Sequence, residues 1–314
     1  MKKPPNYPKT NILVRRRAAL GDAIMATGVV RELHNRFPES NIDMATEFLD
    51  VFNNNPHIRH LYHANAMPDP SKYDMYIDLD DAYELAKDMH YVDCYFYRAF
   101  GNDISNIENM QPELYPTQKD HTVVEQFVTD NELDKYICIH IRQWHWAMKN
   151  MAWETWYAVF EKLFTERVDF KIVCVGSEQD GTVDHPLFVD ARGKLNLQQT
   201  KLLMDGADCF VGIDSGPYHI ASASKTSMVS LHTHLLPERV APRDKEVTAI
   251  KSEIDCVGCN ELQPKPVRQI NCIHGPEDFR CSRLFDADKI AKAVLEYLWA
   301  KYINIREHLV IWST

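Results

Sequence analysis

The segment IDSGPYH sets Asp214, Ser215, Gly216 and His219 within six positions, just after the apolar run CFVG. Polarity concentrated where a strand gives way to a helix suits an anion, because the first turn of a helix presents free N–H groups and a partial positive charge. Ser215 and Gly216 would let the backbone approach a phosphate closely, and Pro217 suits a first helical turn because its missing N–H would be unpaired there anyway. His219, one turn on, adds a donor to the same anion. Spacing alone leaves a plainer alternative open, in which Asp214 or Ser215 only caps the helix and His219 is a surface residue.

Other residues carry chemistry of their own. Asp22 lies in AALGD, a second strand-to-helix turn. Arg142 and Lys149, in IRQWHWAMKN, could neutralise phosphate charge, and Glu178, in VGSEQDG, could accept hydrogen bonds from ribose hydroxyls. Each reads equally as a solvated surface charge when taken alone. In CVGCNELQPKPVRQINCIHGPEDFRC, Cys256 and Cys259 form a C-x-x-C pair that Cys272 and Cys281 follow. Such a turn sets two thiolates on one tetrahedral face, and two more can complete a closed four-sulfur structural metal site, with His274 as a possible substitute ligand. Free thiols or one or two disulfides are the alternatives. The remaining cysteines, Cys94, Cys138, Cys174 and Cys209, read as small core residues.

The elements needed to position these groups are legible in the hydropathy pattern. NILVRRRAAL followed by GDAIMATGVVRELHNRFPES predicts a strand, a turn and a helix ending before Pro38, and NIDMATE and YDMYIDL predict further strands. From residue 136, YICIHIR, FKIVCVGS, CFVGIDS and SMVSLH alternate with the helical patterns WETWYAVFEKLFTER, NLQQTKLLMDGA and PYHIASASK. That alternation predicts parallel strands joined by right-handed crossovers, a doubly wound α/β sheet. DADKIAKAVLEYLWAKYINI predicts a long closing helix. The Pro-rich segment at 109–122 separates the two series, giving domains at 1–120 and 121–314. In doubly wound sheets ligands bind beyond the carboxyl ends of the strands, so Arg142, Lys149, Glu178 and the 214–219 turn should converge on one cleft.

Two blocks, ILVRRRAALGDAIMATGVVRELHNRFP and DARGKLNLQQTKLLMDGADCFVGIDSGPYHIASA, resemble glycosyltransferase family 9, the ADP-heptose:lipopolysaccharide heptosyltransferases and their relatives. The resemblance implies a GT-B fold, with two Rossmann-like doubly wound domains facing across a cleft, acceptor on the N-terminal side and nucleotide sugar on the C-terminal side. It implies that Asp22 is the catalytic base, that Asp214, Ser215, Gly216 and His219 hold the nucleotide diphosphate, that Lys149 contacts phosphate and that Glu178 binds the nucleoside. It further implies inversion in a single displacement without a catalytic metal. Some members that glycosylate proteins carry a similar cysteine cluster holding iron, which favours a metal at the four-cysteine loop. The segment from Tyr73 to Gly101 has little that aligns with the lipopolysaccharide enzymes. The acceptor is therefore a saccharide of the lipopolysaccharide type, or with the same chemistry a protein or a hydroxylated DNA base; a non-catalytic nucleotide-sugar-binding module is the reading from another class.

Composition narrows these options. At 314 residues and 45% apolar content the chain has ample core, and a net charge of −10 gives no general attraction to nucleic acid or anionic lipid. Arg15, Arg16 and Arg17 form the one dense basic run. No stretch of eighteen or so apolar residues or signal-like segment is present, which predicts a cytoplasmic protein with no integral membrane segment and thiols that stay reduced.

Overall fold

The computed structural model describes residues 9–84, 86, 88–143, 146–165, 169–263, 272–275 and 278–310, with side chains to residue 300. The chain divides into two compact units, Met1–Thr117 and Gln118–Thr314. The first contains β1 (Asn11–Arg15), α1 (Leu20–Arg36), β2 (Asn41–Thr46), α2 (Leu49–Phe52), β3 (His60–His63), β4 (Met75–Asp78) and α3 (Tyr91–Phe100). Its four-stranded sheet has the order β3-β2-β1-β4, with every pairing parallel. Ile12, Leu13 and Val14 of β1 and Ile24, Val29, Val30 and Leu33 of α1 are fully buried, so α1 is fixed by its packing. Burial of such side chains contributes about 1.5–3 kcal/mol each.

The second unit runs α4 (Gln118–Asp130), β5 (Tyr136–Ile139), α5 (Trp153–Thr165), β6 (Lys171–Cys174), β7 (Phe188–Asp190), α6 (Leu197–Gly206), β8 (Cys209–Ile213), α7 (Gly216–Ser222), β9 (Ser227–His232), α8 (Pro237–Val240), β10 (Val247–Lys251) and α9 (Ala287–Val310). Its six strands are all parallel, in the order β10-β9-β8-β5-β6-β7. Counted from β5 this is the Rossmann order, and it reverses direction between β5 and β8. The first sheet reverses in the same way between β1 and β4. Helices α5 and α9 pack together over one face, where Trp156, Phe160, Ile290, Val294 and Leu298 join the strand side chains in a single core.

The helix expected at PYHIASASK and the strands around it are present. β3, β7 and β10 are additions that the hydropathy pattern did not isolate, being short edge or near-edge strands. Cys94, Cys138, Cys174 and Cys209 are buried, as small core residues should be. No helix among the described residues is long and apolar enough to cross a membrane.

Candidate functional site

In each unit, polar residues gather where the strand order reverses, the place at which open α/β sheets bind ligands. In the first unit that point lies beyond β1 and β4. Asp22, at the third position of α1, is 8% exposed. Its Oδ2 accepts from the Ala19 amide at 3.1 Å, while Oδ1 accepts from the Tyr95 hydroxyl at 2.6 Å and lies 2.7 Å from the Arg16 guanidinium. Burial and the neighbouring Asp22 raise Tyr95 well above the ordinary phenol range, so its hydroxyl keeps its proton and donates it to the carboxylate. Burial alone would lower Arg16, but Tyr95, Asp22 and Glu84 outweigh it and hold the guanidinium charged. Glu84 lies 3.9 Å from the same guanidinium and is pushed up, chiefly by burial. The result, among the described residues, is a carboxylate fixed through Oδ1 by the Tyr95 hydroxyl and the Arg16 guanidinium and through Oδ2 by the Ala19 amide.

In the second unit the reversal lies between β5 and β8. Asp214, just past β8, is 7% exposed and pairs through Oδ2 with the Lys149 ammonium and through Oδ1 with His219 Nε2 at 3.0 Å. Burial alone would raise Asp214, but Lys149, then the hydrogen bond with His219, hold it well below the usual carboxylate range. Ser215 caps α7, its Oγ accepting from the Tyr218 amide at 3.4 Å. The same Oγ lies 2.9 Å from Nδ1 of His140, the residue following β5, and Nε2 of that ring is 3.2 Å from Asp180 Oδ2. Arg142, lowered by its burial, still senses Asp180 and Asp214. At the end of β9 and two residues beyond it, His232 and His234 are desolvated and pushed down to about 4 and about 3, and so stay neutral.

The cysteine turn is tied to this end of the sheet. The Gly258 amide donates to Thr233 O at 2.9 Å and the Asn260 amide to His234 O at 3.0 Å. Gly258 sits at φ +85, and a Cβ there would lie 2.5 Å from the Leu236 side chain, which explains a glycine inside the C-x-x-C turn. Cys256, Cys259, Cys272 and Cys281 line one small cavity. Burial, then the mutual proximity of the thiols, pushes Cys259 up to about 11 and Cys281 up to about 12. The donor set is therefore right in type and number for a thiolate-bound cation. Among the described residues, however, no three or more His, Cys, Asp or Glu side chains are gathered closely enough to hold a metal ion. Residues 264–271 and 276–277 of this loop lie outside the described residues.

Comparison with known proteins decides the class. The family model described as Glycosyltransferase family 9 (heptosyltransferase) matches residues 80–266, more than half of the chain. The chain belongs to glycosyltransferase family 9. It is similar to lipopolysaccharide heptosyltransferase 3 of Escherichia coli, at 22% identity over 272 residues covering 67% of this chain and 80% of that protein. The family 9 glycosyltransferase of Veillonella parvula superposes with a TM-score of 0.71 at 16% identity, covering 93% of this chain and 98% of the other. TibC of enterotoxigenic Escherichia coli, a dodecameric iron-containing heptosyltransferase solved with ADP-D-beta-D-heptose, superposes with a TM-score of 0.66 at 15% identity, covering 93% of this chain and 76% of that one. These likenesses show a GT-B fold of two Rossmann-like halves.

In this family 9 glycosyltransferase, Lys149, Asp214, Ser215, Gly216 and His219 come together at the carboxyl end of β8, with Arg142 near enough to feel Asp214. Glu178 stands apart from them, exposed in the turn after β6 and packed along Gly193. Asp22 is in the other unit. His140, Asp180 and Tyr95 were not singled out by sequence reasoning, and Arg16 only as part of the basic run. For His140 and Arg16 a signal existed, since each directly follows the apolar core of a strand, β5 and β1. Tyr95 and Asp180 lacked one, because their partners are 73 and 40 positions away.

Proposed function

We propose that the protein is an inverting heptosyltransferase that moves heptose from ADP-heptose to a saccharide hydroxyl of the lipopolysaccharide type, working in the cytoplasm, with the acceptor bound by the first unit, Met1–Thr117, and the donor by the second, Gln118–Thr314. The decisive observation is the buried cluster of Lys149, Asp214, Ser215 and His219 at the strand-order reversal of the second sheet, with Arg142 beside it. Lys149, Arg142 and the Ser215–Gly216 amides hold the diphosphate, and Glu178, projecting from the neighbouring turn, takes the ribose hydroxyls. The relatives support the donor assignment, since TibC was solved with ADP-D-beta-D-heptose and the curated relative is a lipopolysaccharide heptosyltransferase.

Chemistry follows from the first unit. Asp22 accepts the proton of the acceptor hydroxyl through Oδ2 while that oxygen attacks the anomeric carbon; the carbon–oxygen bond to the diphosphate breaks on the opposite face, and ADP departs. Tyr95 and Arg16 hold Asp22 oriented for the transfer. Positive side chains and amides stabilise the leaving group, so a catalytic metal is not required. Cys256, Cys259, Cys272 and Cys281 would be the ligands of one structural zinc or iron, which would supply positive charge for four thiolates once the loop draws them together.

A thermal-shift panel of nucleotide sugars tests the donor assignment. A ligand present at a hundred times its Kd should stabilise by about 2.7 kcal/mol, and ADP-heptose and ADP should exceed UDP- and GDP-sugars. No shift with any adenine nucleotide would overturn it.

A further inference from the structure

The helical turn Ala147–Lys149 carries the lysine that pairs with Asp214, and its outer anchors come from the cysteine loop. A lysine ammonium swings on a flexible four-carbon stem, so its place in a site depends on how firmly its backbone is held. Inside the turn the Lys149 amide donates to Trp146 O at 2.9 Å and the Asn150 amide to Ala147 O at 3.0 Å, and the ammonium lies 5.4 Å from the centre of the Trp146 ring. Two further bonds tie this segment to the rest of the unit. The Thr233 hydroxyl donates to Met148 O at 2.6 Å, and the Ala152 amide donates to Ser282 O at 2.9 Å. Thr233, which directly follows β9, is 2% exposed, and Met148 is 3% exposed.

Both anchors belong to the cysteine framework. Gly258, between Cys256 and Cys259, donates its amide to Thr233 O at 2.9 Å, and Ser282 directly follows Cys281. Met148 and Thr233 also line the small cavity of Cys256, Cys259, Cys272 and Cys281. At a buried position just past an apolar strand a valine would fill nearly the same volume. The threonine there adds a hydroxyl, which when buried needs a partner, and its hydrogen goes to Met148 O. A continuous path therefore runs from the C-x-x-C turn to the diphosphate end of the sheet: Gly258 N to Thr233 O, Thr233 Oγ1 to Met148 O, and, one residue on, Lys149 to Asp214.

We propose that Thr233 is a positioning residue for Lys149, and that through it the C-x-x-C turn sets the affinity of the second unit for a nucleotide diphosphate. This rests on the donor reading given above, in which the Lys149 ammonium meets the diphosphate. Thr233 acts through the backbone of residues 148–149: when its hydroxyl or the cysteine turn behind it shifts, the stem of Lys149 shifts with it.

Isothermal titration of the full-length protein with ADP, with Lys149 present and in Lys149→Met, tests it as a double-mutant cycle. Thr233→Val, which keeps the shape and removes the donor, should raise the Kd for ADP about two- to tenfold with Lys149 present, the range of one hydrogen bond. In Lys149→Met the same change should alter the Kd by less than about twofold. Thr233→Ser, which keeps the hydroxyl, should bind as wild type does. Gly258→Ala sets a Cβ 2.5 Å from the Leu236 side chain and so displaces the cysteine turn; it should likewise weaken ADP binding only where Lys149 is present, and it carries the test should Thr233→Val fail to fold. Wild-type affinity in Thr233→Val would overturn the positioning role, and wild-type affinity in Gly258→Ala the coupling to the cysteine turn. Losses of equal size in the two backgrounds, the mark of a general loosening of the unit, would overturn the inference, as would a Thr233→Ser that binds as weakly as Thr233→Val. Each of those results leaves the donor reading standing. Lys149→Met binding ADP as tightly as wild type, or wild type not binding ADP at all, would overturn the phosphate role of Lys149 and the inference together.

Discussion

Replacing Lys149 by Met would separate the pairing with Asp214 from the phosphate contact proposed for its ammonium. Lys149 and Asp214 form a buried pair, with side-chain exposures of 15% and 10%. Removing one member of such a pair leaves an uncompensated charge and costs about 3–5 kcal/mol. The cost should fall near the lower end, because His219 remains 3.0 Å from Asp214 and can share the carboxylate's charge. For a unit of this size about 3 kcal/mol lowers Tm by roughly 6–12 °C. The lost charge-assisted bond to phosphate should weaken ADP binding by about 1.5–3 kcal/mol, roughly 10- to 150-fold. Differential scanning calorimetry measures the first effect and isothermal titration the second. A variant with lowered Tm but unchanged ADP affinity would refute the phosphate role, leaving Lys149 only as the partner of Asp214.

Tyr95→Phe removes the hydroxyl that donates to Asp22 Oδ1 at 2.6 Å, and should lower kcat by roughly tenfold, the lower bound for a hydrogen bond to a charged group, with the donor KM unchanged; a rise in donor KM alone would contradict the positioning of Asp22. Asp180 and Asp214 are both held below their unfolded values, so they contribute stability that is fully present above about pH 4 and lost as pH falls through their folded values. Asp180→Asn should therefore flatten the loss of Tm between pH 4 and pH 2, and an unaltered acid limb would show that Asp180 is not held ionised by its amide donors. Protein purified without chelator should contain about one zinc or iron per chain, released with a drop in Tm by the double change Cys256→Ser, Cys259→Ser. Free reaction of all four thiols with a thiol reagent in metal-free folded protein would refute that site.

Much of the scaffold was legible because apolar runs end abruptly at polar turns. NILVR yields to Leu20-Gly21-Asp22 and CFVGI to Asp214-Ser215-Gly216, and both become a strand feeding a helix. The strands not seen, HLYH, FVD and VTAIK, are short and lie at or toward sheet edges, where burial imposes little pattern. Residues at the strand-to-helix turns, such as Asp22 and Asp214, were therefore placed from the sequence. Their partners were not, since pairing is fixed by strand order: Tyr95 reaches Asp22 across 73 positions and Lys149 reaches Asp214 across 65. Asp180 shows the limit most clearly. It lies two residues beyond Glu178, yet Asp180 is buried against His140 while Glu178 faces solvent, a difference set by the turn that Gly176 permits.

The role of Asp22 is tested most directly by measuring ADP release from ADP-heptose, with lipopolysaccharide core as acceptor, alongside ADP affinity for wild type and Asp22→Asn. Loss of a general base should lower kcat by about 10²- to 10⁴-fold, and ADP affinity should stay within about twofold because the groups proposed to hold the nucleotide belong to the other unit. Wild-type turnover in Asp22→Asn, or a parallel loss of ADP binding, would contradict Asp22 as the base that drives glycosyl transfer.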